Sequence, residues 1–166
     1  MCKSYIKVIL LSLGLLITGG IQAAENAMYK QVVNQPMSKV YPAVHKALED
    51  ARFFVVFEPN IGKNLKRYTK KWGDDYNQNK LAHIRSMVFC NVWYANAVSN
   101  ADPDMLGLCP LRISLYEKQG KTVVLFARPT VIAAQSKARV VLQSVEDEVV
   151  AAIQAGAKRS EKPETK

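Results

Sequence analysis

The chain is poor in the side chains that carry most enzyme chemistry. It has two histidines, His45 and His83, and three cysteines. No Cys-x-x-Cys or other recognised catalytic spacing connects them. His83 precedes Cys90 by seven positions, which on a straight strand is ~23 Å at ~3.3 Å per residue, too far for an imidazole to deprotonate the thiol. The chain therefore reads as non-enzymatic. Long hydrophobic runs are also missing. The run from Val8 to Ile17 is about half of the ~20 residues that a membrane-spanning helix needs. With Lys3 and Lys7 before it and Ile21-Gln22-Ala23 behind it, it has the form of a secretory signal peptide over residues 1–23. An exported, periplasmic protein follows, the alternative being a chain anchored in the membrane by an uncleaved N-terminus. No transmembrane span is expected in the mature chain. Cys2 leaves with the peptide, and no cysteine stands at the cut for lipid attachment.

Acidic residues are scarce as well. Lys3 and Lys7 leave with the signal and no acid does, so 23 basic against 14 acidic residues becomes 21 against 14, a balance of +7. In an exported protein this excess points to an anionic small molecule or an envelope surface rather than to nucleic acid, though it also serves solubility alone. There are no internal repeats and no low-complexity blocks.

What is present is the patterning of one α+β domain over residues 28–156. Met28–Val33 reads as a first strand closed by Pro36. Ser38 can cap a helix whose apolar stripe is Val40, Val44, Ala47, Leu48 and Ala51. Arg52–Glu58 has the β-branched and aromatic density of a buried strand. In the next segment Ile61, Leu65, Tyr68 and Trp72 fall on one face of a helix over 61–72, with Lys63, Lys66, Arg67, Lys70 and Lys71 opposite and Gly73 as its stop. Asp74–Lys80 is an exposed loop. A strand from Ala82 to Cys90 follows, then a short helix capped by Asn91 and broken at Asp102-Pro103-Asp104. Leu111, Ile113 and Leu115 alternate with Arg112, Ser114 and Tyr116, and Gln119-Gly120 turns the chain into Thr122–Ala127, a hairpin. A long helix spans Ser136 to about Ala155, and residues 157–166 form a charged, disordered tail. The order β-α-β4-α, with two short inserted helices, predicts a curved antiparallel sheet of about five strands with helices mainly on one face.

Three groups of residues are candidates for function. Cys90 and Cys109 stand at adjoining strand ends and can form a structural disulfide worth ~3 kcal/mol, stay as free thiols, or work as a redox pair. His83 and Arg85 on one strand, with Arg112, Ser114 and Tyr116 on its expected neighbour, would line an open sheet face suited to an anionic ligand if the register brings them together. The five cations of 61–72 could meet an anionic envelope surface. A soft-metal set of His83, Met87, Cys90 and Cys109 matches no recognised ligand spacing, so no metal and no cofactor are expected.

The run Cys90-Asn91, Ala95, Asp102-Pro103-Asp104, Leu106-Gly107, Cys109-Pro110, Tyr116-Glu117 and Gly120-Lys121-Thr122-Val123 resembles the bacterial domain of unknown function numbered 302. The likeness covers roughly Val40 to Val149. It departs from the family pattern at Val92, where proline is usual, and at Leu111, where a cysteine tends to follow the proline. The resemblance implies an α+β fold like that of the TATA-binding protein and no settled activity.

Overall fold

A computed structural model describes residues 27–163. The expected signal peptide lies outside those residues. Five strands form one sheet: β1 (Met28–Val33), β2 (Phe54–Phe57), β3 (His83–Cys90), β4 (Leu111–Lys118) and β5 (Lys121–Ala127), in the order β1-β5-β4-β3-β2. Every pairing is antiparallel. Gln119 (φ 53) and Gly120 (φ 72) both adopt positive φ, the primed-turn geometry that suits a two-residue hairpin.

Helices α1 (Met37–Asp50) and α6 (Arg139–Ser160) cover one sheet face. Val40, Val44, Ala47 and Leu48 of α1 and Val145, Val149 and Ile153 of α6 meet Met87, Phe89, Ile113, Leu115, Val124 and Phe126 of the sheet. Burying each large apolar side chain contributes about 1.5–3 kcal/mol against leaving it in water. A smaller cluster of Val98, Ala133, Ala138 and Leu142 lies beneath α4 (Val92–Ala101) and the one-turn helix α5 (Pro129–Ile132). No helix among the described residues is long and apolar enough to cross a membrane.

Several boundaries differ from the expectation for local reasons. Ser38 does not cap α1; the helix starts at Met37, and the Glu117 carboxylate of β4 accepts the Met37 N–H at 2.7 Å. The long helix starts three residues late because the Ser136 hydroxyl makes a turn, donating to Asp102 and accepting from the Ala138 N–H at 3.0 Å. It ends at Ser160 rather than in a tail from 157, because Ala157 and Ser160 are buried and Arg159 reaches Asp50 of α1 at 3.0 Å.

The largest correction concerns residues 61–72. They form two short helices, α2 (Ile61–Lys66) and α3 (Thr69–Trp72). The Arg67 and Tyr68 N–H groups bond three residues back, and the Thr69 hydroxyl donates to the Lys66 carbonyl at 2.8 Å. The expected stripe does not pack as a unit: Ile61 and Leu65 are half-buried, whereas Tyr68 and Trp72 are exposed. Like charges at i,i+3 and i,i+4 oppose the helix, and without a buried face nothing offsets them.

Candidate functional site

The register settles which strand residues share a face. On β3 and β4 odd-numbered residues oppose odd-numbered ones: His83 meets Glu117, Arg85 meets Leu115, Ser86 meets Ser114 and Val88 meets Arg112. His83 and Arg85 therefore belong to the helix-covered side, and Arg112, Ser114 and Tyr116 to the other. The five residues expected on one ligand face are split three and two. Arg112 is exposed, while Ser114 and Tyr116 are half-buried, and the Ser114 hydroxyl lies 2.8 Å from that of Ser86.

Arg85 is engaged within the fold. Its guanidinium carbon sits 3.7 Å from the centre of the Tyr41 ring, and its Nη2 lies 3.6 Å from Glu58 Oε2. The Tyr41 hydroxyl, with one proton, faces Glu58 Oε2 at 3.1 Å and the Ser86 carbonyl at 3.2 Å. His45 Nε2 approaches Glu58 Oε1 at 3.3 Å. Burial pushes the Tyr41 phenol up to about 12, with Arg85 acting in the opposite sense and Glu58 adding to the rise. Arg85 Nε is buried without a hydrogen-bond partner, as stacking on a ring face permits. Sequence reading missed Tyr41 and Glu58. The i,i+4 spacing of Tyr41 and His45 on α1 was the available signal, and Glu58 had none.

The thiols of Cys90 and Cys109 are free and half-buried. They line a small apolar cavity with Phe53, Phe89, Tyr94 and Leu108. The Cys109 thiol is raised first by burial and then by the neighbouring Cys90, so it stays protonated near neutral pH and is a poor nucleophile. The soft-metal set is not assembled, since Met87 is buried on the face opposite to Cys90 and His83 begins the strand that Cys90 ends. Among the described residues no group of three or more His, Cys, Asp or Glu side chains could hold a metal ion.

A concavity lies where α2 meets β3. Beyond β2 the edge of β3 is covered by the chain itself: the Ser86 N–H donates to the Pro59 carbonyl at 3.1 Å. Gly62 then brings α2 alongside, where a Cβ would stand 3.2 Å from the Ile84 nitrogen. The Asn60 side chain caps α2 through the Lys63 N–H at 2.9 Å. Across the gap, the Asn77 amide bonds both the carbonyl and the N–H of Leu81 at 2.9 Å, pinning the loop. The groove between them has a volume of about 330 Å³ and is lined by Lys63, Lys66 and His83 together with Tyr76, Leu65 and Ile84, with no carboxylate in its wall. Arg67, Lys70 and Lys71 lie past the break in the helix. Among the described residues none of the five cations of 61–72 forms an ion pair with a carboxylate.

Five antiparallel strands backed by two helices, with a basic groove at one edge, define an open-faced α+β domain. Residues 29–156 match the family model described as domain of unknown function DUF302, and the chain belongs to that family. The fold agrees with a solved structure, the "uncharacterized conserved protein DUF302 from Bacillus stearothermophilus". That protein shares 16% identity with this chain, with a TM-score of 0.66, and the match covers 78% of this chain and 97% of the other. No curated protein matches the chain.

Proposed function

We propose that the chain is an exported, periplasmic binding or accessory domain that takes a small anionic ligand in the groove between α2 and β3. The observation that carries this reading is the groove wall, where Lys63, Lys66 and His83 converge with no acid among them. Ammonium groups without carboxylate partners remain free to donate to an anion. Export rests on the apolar run Val8–Ile17 behind Lys3 and Lys7. Titration calorimetry with inorganic phosphate and with succinate tests it. At least one should bind, and Lys63→Gln with Lys66→Gln should weaken that binding tenfold or more while the melting curve holds. Absence of heat for both probes, or binding indifferent to the two substitutions, would reject the groove as the site.

A second reading concerns the thiols. Cys109 feels Cys90 directly, and in an oxidising compartment an exchange with an oxidised dithiol carrier would join them, two protons and two electrons passing to the carrier. The resulting bridge would be structural, because the raised Cys109 thiol disfavours the thiolate that redox work needs. Thiol alkylation of periplasmic protein with and without prior reduction decides it: labelling only after reduction supports the bridge, and full labelling without reductant removes it.

A further inference from the structure

The α2–α3 lobe presents an aromatic pair that the fold had every opportunity to bury and did not. Tyr68 and Trp72 stack at 5.2 Å between ring centres, and they are 49% and 39% exposed. Neither α2 nor α3 contains a buried residue. The same short segment carries Arg67, Lys70 and Lys71, which repel one another and form no ion pair with a carboxylate among the described residues. None of these five residues lines the groove.

We propose that residues 67–72 form a membrane-seating surface for an anionic bilayer. Trp and Tyr have an apolar body and a polar tip, and they favour the level of the lipid headgroups. Basic side chains beside such rings are drawn to the negative surface of an anionic leaflet, and their aliphatic stems lie along the apolar boundary. The charge complementarity is one-sided, since residues 61–72 carry five cations and no acid. The other exposed tryptophan, Trp93 at 68%, lies in a helix with no charged residue, Val92–Ala101, so it lacks the electrostatic half of the device. Seating the tip leaves Lys63 and Lys66 in the groove wall, so the proposal goes beyond the groove reading and does not depend on it.

The two tryptophans allow a direct test. Residues 24–166, the mature chain expected after removal of the signal peptide, are the material. Trp93→Phe leaves Trp72 as the sole reporter, and Trp72→Phe leaves Trp93. The probes are vesicles of equal parts phosphatidylglycerol and phosphatidylcholine, with pure phosphatidylcholine vesicles as the comparison. Trp72 emission should shift to the blue on the anionic vesicles at low salt, Trp93 emission should not move, and added salt should reverse the effect. Replacing Arg67, Lys70 and Lys71 by glutamine should lower partitioning by roughly a hundredfold, at about fivefold per cation, with circular dichroism unchanged. A blue shift from Trp93, equal partitioning to phosphatidylcholine, or no partitioning by the unsubstituted domain at low salt would overturn the proposal. So would loss of partitioning in Lys63→Gln/Lys66→Gln with the triple variant unaffected, which would make the lipid headgroup a groove ligand. Quenching of Trp72 by a single-stranded oligonucleotide with no response to vesicles would overturn it in favour of nucleic acid.

Discussion

Gly156 of α6 lies directly against the backbone of Val44 on α1: a Cβ at position 156 would stand 2.6 Å from the Val44 Cα. The two helices that cover the sheet meet over their apolar stripes, and this glycine sets how closely they approach. Gly156→Ala gains helix propensity of up to ~1 kcal/mol but must push the helices apart, and overpacking typically costs ~1–3 kcal/mol. The obstructing atoms include backbone, so the clash should win. A lower melting temperature is expected; one equal to or above that of the unsubstituted protein would show that the helix pair separates freely.

Glu146 is the charge most deeply withdrawn from water among the ion-paired side chains, at 3% exposure. Its carboxylate holds Arg128 Nε at 2.5 Å and accepts both the N–H and the hydroxyl of Thr130. These contacts tie the chain leaving β5 onto α6. Glu146→Ala removes the acceptor while the Thr130 donors stay buried, which costs about 1–3 kcal/mol for a buried group left unsatisfied. Arg128, at 38% side-chain exposure, can turn to solvent and adds less. Denaturant unfolding should show a lower midpoint at an unchanged slope, and an unchanged midpoint would mean that the site relaxes without penalty.

Local periodicity made most of the fold legible in the sequence. Leu111, Ile113 and Leu115 alternate within one strand, and Val40, Val44 and Leu48 recur within one helix, so neither pattern needs knowledge of a distant neighbour. The candidate site was less legible because it depends on register and on packing partners. The chain between Cys90 and Leu111 is too long for its turn geometry to fix parity, so nothing in the sequence told whether Arg85 would face Arg112 or Leu115. The amphipathic pattern of 61–72 was real, but what it faced was not written in it. Ile61 and Leu65 found the end of β3, and Tyr68 and Trp72 found water. The Tyr41, Glu58 and Arg85 cluster joins α1, the residue that follows β2, and β3, and beyond the i,i+4 pair of Tyr41 and His45 no local spacing announces it.

The alkaline limb of stability should carry the signature of two phenols. Tyr41 is pushed up to about 12, by burial first; Tyr94 is also pushed up to about 12, chiefly by its hydrogen bond to Glu148, with burial second. Both start from an unfolded value of 10.0. Since the folded protein holds these protons more tightly, the unfolded chain releases them first as pH rises. Their contribution is therefore complete below pH 10 and is lost as pH climbs through 12. Difference absorbance during an alkaline titration should show two phenols that ionise only as pH approaches 12 or as the fold opens. Tyr41→Phe should cost ~1 kcal/mol at neutral pH, through the lost hydrogen bond to Glu58 or Ser86, and should flatten the loss of stability between pH 10 and 12. Tyr94→Phe should flatten it as well, with a smaller neutral-pH cost because its bond to Glu148 is exposed. If the difference between the unsubstituted protein and each of Tyr41→Phe and Tyr94→Phe places these two phenols near pH 10 while the near-ultraviolet circular dichroism stays native, neither phenol is held as the geometry requires.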